Sequence, residues 1–358
     1  MSRVYICHTF YHAYVSCVKE LIRRDEPRER ATLILSTMSN DFGLMYDRVK
    51  ASGIFDDVYY FEEKEDVTFP EVMKYHRDRG NIVLNLLQRI KYTKMLGKAT
   101  EPYVPVDLSK YDDVYVFCDS DPIGYYLNYK KIYYHAIEDG LNSGILDNQA
   151  MISNKGAFGL KKFMASLGLI FIESGYSKYC LDYEVNDISV NYMPPSNIIE
   201  CSFDSMCDKL TSDDHKKLVD IFLDNPSSLT DRLDVTKYNK PCVMILTEPL
   251  CELSVREQLF GDIIKEYSKN YTVIVKPHPR DLLDYEATFP GTVVIREKFP
   301  MEVMNDIPGL RVKKLISVIT QVDCIRFADE IIYLGLDFLD KYEAPEIHRK
   351  MEILKGVN

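Results

Sequence analysis

Short apolar segments alternate with helix-patterned ones almost from the first residue, and that alternation leaves few folds open. Arg3–Cys7 (RVYIC) reads as a buried strand, followed by helical spacing of Ala13, Val15, Val18 and Leu21. Strands are predicted at Thr32–Ser36, Asp57–Phe61, Asp113–Cys118 and Ile132–Ile137, with helices near Phe42–Lys50 and within Pro70–Lys91. Such alternation builds a parallel α/β sheet. A second series opens at Pro241–Leu246 and runs through a helix at Ser254–Tyr267. Its later strands are Thr272–Val275, Val293–Ile295, Leu315–Val318 and Glu330–Tyr333. The intervening Tyr192–Asn239 carries Pro194, Pro195, Asn225 and Pro226, with one short helix near Asp213–Leu223. A chain of 358 residues, at roughly 150 per domain, has room for two such units. The expected architecture is therefore two Rossmann-like domains facing across a cleft, spanning 1–190 and 240–358, joined by 191–239. The amphipathic stretch 344–354 is expected to pack back on the first domain.

Composition removes several function classes. No apolar run reaches the roughly 18 residues of a membrane helix, and the opening strand leaves no signal peptide. The nine cysteines are scattered, without a C-x-x-C, which reads as reduced thiols of a cytoplasmic protein. A net charge of -11 argues against nucleic acid, whose phosphates need a basic face. At most, the mildly basic 344–354 stretch makes transient membrane contact. The 26 tyrosines beside no tryptophan suit part-polar faces such as sugar sites or a homodimer interface.

Ligands of open α/β sheets bind beyond the carboxyl ends of the strands, so polar residues there are the candidates. Glu138-Asp139-Gly140 follows the strand KIYYHAI. Adjacent carboxylates cannot both ionise cheaply in a closed site, so one is expected to have a raised pKa suited to a general base. Gly140 would supply the tight turn; the plain alternative is a solvated strand end. Lys276-Pro277-His278-Pro279-Arg280 follows YTVIV, where a rigid loop would hold a cationic or hydrogen-bonding histidine for a phosphate. Ser317 and Thr320 precede the helix-like VDCIRFADE and read either as a phosphate cradle or as ordinary helix capping. Glu302, in Pro300-Met301-Glu302, could accept from ribose hydroxyls or be a first-turn helix glutamate.

Two further patterns read more simply. Asp119-Ser120-Asp121 resembles a D-x-D metal motif, yet Pro122 follows at once, as behind an aspartate helix cap. His8 and His12 are four apart with no third ligand nearby, and are expected to line the mouth of the first strand.

Taken in order, the acidic-acidic-Gly turn, the His-Pro, the Pro-x-Glu and the hydroxyl cluster resemble the bacterial sialyltransferases. The nearest type is the lipooligosaccharide enzymes of glycosyltransferase family 52, related to the capsular polysialyltransferases. The opening VYICHTFYHAYVSCVKELI and the segment ILTEPL are similar to that family as well. The resemblance implies a GT-B fold and an inverting, metal-independent transfer from CMP-sialic acid, with no cofactor, to a galactose-type glycan. It implies Asp139 as the base with Glu138 its neighbour, and His278 on the departing phosphate. Glu302 would hold the ribose, and Ser317 and Thr320 the phosphate. Gly140, Asn142, Ser143, Thr247, Lys276, Pro279 and Arg280 would complete the donor site. The hydroxyls depart from the family pattern, because Val318 and Ile319 separate Ser317 from Thr320.

Other readings stay open on the same residues. They are a hexosyltransferase or CDP-glycerol glycerophosphotransferase of the same build, a metal-dependent enzyme using Asp119 and Asp121, and a catalytically silent binding subunit. Acceptor, linkage and single versus repeated transfer are not encoded in any motif, although Asn40–Phe42, Lys91–Asp107 and Asp119–Tyr125 are the candidate acceptor loops.

Overall fold

The computed structural model describes residues 2–24, 26, 30–145, 148–320 and 322–348. The chain divides into two compact units between Thr211 and Ser212. The first holds seven strands: β1 Ser2–Cys7, β2 Arg30–Ser36, β3 Asp57–Phe61, β4 Asp113–Val116, β5 Tyr134–Ile137, β6 Cys180–Val185 and β7 Ile198–Glu200. Their order is β3-β2-β1-β4-β5-β6-β7 and every pairing is parallel. Val4 lies opposite both Thr32 and Val114, so β1 is central and the order reverses between β1 and β4. That reversal opens a crevice at the strand ends, the usual ligand position. Val4, Ile6, Val116, Tyr134 and Ala136 fill the core beneath it.

The second unit holds β8 Cys242–Leu246, β9 Thr272–Lys276, β10 Val293–Val294, β11 Val312–Ser317 and β12 Ala328–Tyr333. The order β10-β9-β8-β11-β12 is again wholly parallel, with its reversal between β8 and β11. Val243, Ile245, Val273, Val275 and Ile316 pack against Leu259, Phe260 and Ile263 of the helix Leu253–Tyr267. No helix among the described residues is long and apolar enough to cross a membrane.

Several expectations need correction. The helix expected within Pro70–Lys91 is instead a short turn, Pro70–Met73, and then a long helix, Ile82–Thr100. Asn81 sets that start by accepting from the N–H groups of Val83 and Leu84. VDCIRFADE forms no helix: the Asn305 side chain donates to the carbonyl of Cys324 and accepts from the N–H of Arg326, pinning 322–327 as a loop that leads straight into β12. Strands β6 and β7 were not anticipated. The division falls inside the expected 191–239 connection. From Ser212 onward its residues belong to the second unit, where the helix Ser212–Phe222 bonds to Asp306 through His215. Of 344–354, residues 344–348 are described, with Pro345–His348 a short helix; the rest, and its expected packing on the first domain, lie outside the described residues.

Candidate active site

In the first unit the polar groups converge where β1, β3, β4 and β5 end. Thr9 caps the helix Phe10–Leu21, accepting from the N–H of His12 at 3.2 Å. The His12 ring folds back, and its Nδ1 accepts from the N–H groups of His8 and Thr9 at 3.1 and 3.2 Å. With Nδ1 committed as an acceptor, the neutral ring carries its proton on Nε2. That Nε2–H reaches Asp139, 2.7 Å from the carbonyl and 3.0 Å from Oδ1. Burial pushes His12 below its ordinary value, against the pull of Asp139, so the ring is a neutral donor. Phe117 stacks on it at 4.4 Å and fixes its plane.

The Asp139 side chain is 67% exposed, although protein crowds it from below. It opens into a cavity of about 380 Å³ that Ser143, Asn148, Tyr183 and Asn191 also line. That crowding disfavours the charge, but the bonds from His12 and from the Cys118 thiol, 2.9 Å from Oδ1, outweigh it. Asp139 is held well below the usual carboxylate range. The raised member of the acidic pair is Glu138, buried and pushed up to about 7 by desolvation. The expected raised base is therefore not Asp139. Glu138 instead accepts from the N–H of Asn186 at 2.9 Å and supports the turn. The left-handed residue of that turn is Asn142 (φ 54), not Gly140, and its Oδ1 accepts from Asn186. Ser143 follows on the exposed rim.

Behind this pair, His8 is fully buried, 2.8 Å from Glu63 and 3.5 Å from Asp121. Ser36 and the N–H of Ile123 fix Glu63. Burial alone would lower His8; Glu63 and Asp121 raise it above its ordinary value. The two histidines are thus not passive lining of the strand mouth: one holds Asp139 and the other ties loop ends together.

His8, His12 and Cys118 bring three ligand atoms within 4.8 Å of one another. The donor chemistry suits a cation poorly, because His12 Nε2 bears its proton and burial pushes the Cys118 thiol well up. Nor does the D-x-D offer two free carboxylates. Asp119 is buried against the Tyr134 hydroxyl and the N–H of Ser174, and desolvation pushes it up to about 7. Asp121 occupies the N-cap position of the helix Pro122–Lys130, yet its side chain makes no capping bond. It faces His8 and is likewise pushed up to about 7 by burial.

In the second unit, His278 lies past the end of β9. Its Nδ1 accepts from the N–H of Arg280 at 3.1 Å, which places the ring proton on Nε2. Burial, with the charges of Arg280 and Lys276, pushes it down to about 4. It is a neutral hydrogen-bond donor, not the cation also considered. Asp281 shapes this loop, and sequence reasoning missed it. It accepts from Thr247 at 2.7 Å, Arg256 at 2.7 Å and Tyr285 at 2.8 Å. The same Thr247 oxygen accepts from the N–H of His278 at 3.4 Å. Pro279 is half-buried and the Arg280 side chain is exposed.

Lys276 is buried at the end of β9. Its Nζ donates to the carbonyl of Glu297 and lies 4.4 Å from the centre of the Phe299 ring. Desolvation pushes it down to about 8 and pushes the neighbouring buried Glu302 up to about 7. Glu302 lies in the first turn of the 3-10 helix Met301–Asp306.

Ser317, at the end of β11, does not face an open cradle. Glu248 enters it, its Oε1 accepting from the N–H groups of Ile319 and Thr320 at 3.1 and 2.8 Å and from Ser317 at 3.3 Å. Ser317 also donates to the carbonyl of Thr320 at 2.7 Å. These donors, which sequence pattern assigns to a phosphate, are met by an internal carboxylate.

The family model for glycosyltransferase family 52 matches residues 56–320, most of the chain and both units. A sialyltransferase of Photobacterium damselae, in its GT-B domain, superposes with a TM-score of 0.51 at 12% identity, covering 92% of this chain and 89% of that one. A second structure of sialyltransferase from that organism gives 0.50 at 12% identity, over 92% and 73% of the two chains. At such identity the likeness establishes the fold, which is GT-B. An uncharacterized protein of Haemophilus influenzae is 34% identical over 80 residues, 21% of this chain. The chain spans about a quarter of that relative, 26% of its length. Two parallel sheets with polar groups gathered at their strand ends, and a family match that runs across both, lead to one statement: the chain belongs to glycosyltransferase family 52, a family of glycosyltransferases.

Proposed function

We propose that the protein is an inverting, metal-independent sialyltransferase, moving sialic acid from CMP-sialic acid to a hydroxyl of a galactose-type glycan. The observation that carries this reading is the His12–Asp139 pair: an ionised, exposed carboxylate held by a buried neutral histidine at the rim of a pocket. Family membership supplies the reaction class, and the Photobacterium protein of the same fold is a sialyltransferase.

In the reaction the acceptor oxygen attacks the anomeric carbon as the bond to the CMP phosphate breaks. The acceptor proton passes to the free oxygen of Asp139, a step that typically contributes about 10²–10⁴-fold. A bound substrate covers Asp139, and the loss of water raises its basicity when a proton must be taken. The negative charge arriving on CMP meets the Nε2–H of His278, a donor fixed beforehand by the Arg280 N–H and Thr247. Glu302 accepts from the ribose. Neither step uses a metal.

Calorimetric titration with CMP, CDP and UDP, each in EDTA, tests the donor. Preference for CMP is expected. Preference for CDP or UDP would move the reading to glycerophosphate or hexose transfer, and binding of none would remove the donor assignment.

A further inference from the structure

The cavity of about 380 Å³ that Asp139 borders has a second wall, built by a segment that carries none of the sequence motifs. Asn191, Tyr192, Pro194 and Pro195 all line it. The segment runs from the short 3-10 helix Ile188–Val190 to β7. Two prolines restrict its backbone. Met193, just before them, takes the left-handed conformation (φ 46) that residues with a side chain ordinarily avoid. Such a conformation persists only where the surroundings over-determine it, and it collects at ligand sites.

The surroundings here are specific. The Asn148 amide donates to the carbonyls of Tyr192 and Met193 at 2.9 and 3.1 Å, and the Tyr176 hydroxyl donates to the Met193 carbonyl at 2.8 Å. The other end of the Asn148 side chain caps the helix Gln149–Ser153, accepting from the N–H of Met151. Asn191 donates to the carbonyl of Asp187 at 2.8 Å, and its Oδ1 sits where a Cβ on Gly144 would come within 2.0 Å. Pro195 is buried against Gly175 (φ 88), where a Cβ would approach it to 2.7 Å. The backbone of 191–195 is thus held at both ends and in the middle. Tyr192 nevertheless stays 37% exposed, on the cavity.

We propose that Tyr192 is the platform on which the terminal sugar of the acceptor lies, with Asn148 and Tyr176 as positioning residues that hold it. The proposal rests on the transferase reading and adds the acceptor side to it. Among the described residues the cavity lining includes the hydroxyls of Ser120 and Ser143, the Gln149 amide and the Tyr183 ring, and no cation. Hydroxyls and amides around an aromatic face suit a neutral sugar, whose hydroxyls bond outward while its C–H face lies on the ring. Tyr192 and Asp139 border the same small cavity, so a sugar on the ring keeps a hydroxyl near the carboxylate. Of the three acceptor loops expected from the sequence, only 119–125 reaches this cavity among the described residues, through Asp119 and Ser120.

Steady-state transfer from CMP-sialic acid to lactose, a neutral galactose-ended disaccharide, tests the platform. Tyr192→Ala should raise the KM for lactose about tenfold, while the KM for CMP-sialic acid and the calorimetric affinity for CMP stay in place. Tyr192→Phe keeps the ring and should bring the lactose KM back to within about twofold of wild type. Asn148→Asp keeps the helix cap but loses the amide donor to both carbonyls, and should raise the same KM about threefold or more. An unmoved lactose KM in Tyr192→Ala would overturn the proposal. So would a Tyr192→Phe variant as impaired as Tyr192→Ala, or a weakened CMP affinity, because the residue would then act through its hydroxyl or through the fold. Ligand-observed NMR of lactose with the CMP-loaded protein separates this from the reaction itself. A wild type that binds lactose through Tyr192 but transfers nothing would remove the transferase reading and leave the platform standing. Transfer with an unmoved KM would do the reverse, and neither binding nor transfer would remove both.

Discussion

Asp139 and Glu248 are both acidic residues at the end of a parallel strand, and they have opposite fates. Asp139 follows β5, keeps its carboxylate exposed, and is held ionised by His12 and Cys118. Glu248 follows β8, is buried, and spends its charge on the Ile319 and Thr320 N–H groups; desolvation pushes it up. One carboxylate is supported from behind and left free in front. The other fills a cradle that strand-end hydroxyls would otherwise offer to a ligand. A polar cluster at a strand end is therefore a site only where an atom is left over, and what fills it can come from a distant part of the chain.

The contrast can be broken most severely at the two groups proposed to act on the substrates. Asp139→Asn should lower turnover by about 10²–10⁴-fold with the fold intact. His278→Ala, which removes the proposed donor to the leaving phosphate, should cost about 10²–10³-fold in steady-state turnover. A wild-type rate in either purified variant would end that assignment. His12→Gln comes next, with a loss of about tenfold in kcat. Because His12 acts through Asp139, its loss should also raise the pH of the acid limb of the rate profile. A lower rate with an unmoved limb would make His12 merely structural.

Glu248→Gln sharpens the other half. The amide oxygen can still accept from Ile319 and Thr320, but the negative charge leaves the cradle. CMP should bind a few fold more tightly by calorimetry; weaker binding would mean that the charge itself holds the donor site together. The smallest effect is on stability. Asp119, Asp121, Glu138 and Glu302 are each pushed up to about 7, so the folded protein binds more protons than the unfolded chain from about pH 4 upward. Stability from these groups is greatest at low pH and is lost as pH rises through 7. His12 and His278 are lowered, so the unfolded chain binds more protons than the folded protein below about pH 6.5, and these two groups oppose the trend there and not above it. The melting temperature should fall by a few degrees between pH 6 and pH 8.

The strands nearest the two reversal points were legible because they are short, apolar and followed by polar residues. β6 was not: CLDYEV exposes Leu181, carries Asp182 and Glu184, and buries Glu184 only because it pairs with Lys19. VDCIRFADE looked helical from its apolar spacing, but Val322, Cys324, Ile325 and Phe327 are buried from a loop held by Asn305. At the candidate site, Asp139 and His278 were legible as candidates from their position after a strand. His12 could not, since its partner lies 127 residues away and the tautomer that makes it a donor is set by two backbone N–H groups. Glu248 was hidden for the same reason, sitting 72 residues from Thr320. Local pattern locates strand ends; it does not say which side chain from another strand will arrive there.

The most direct test is single-turnover transfer from CMP-sialic acid to a galactose-ended acceptor, in EDTA, by wild type and by Asp139→Asn. The prediction is transfer with inversion by wild type, and a rate at least about a hundredfold lower for the variant with CMP binding unchanged. Equal rates for the two proteins, or wild-type transfer that stops in EDTA, would contradict an Asp139-based, metal-independent mechanism.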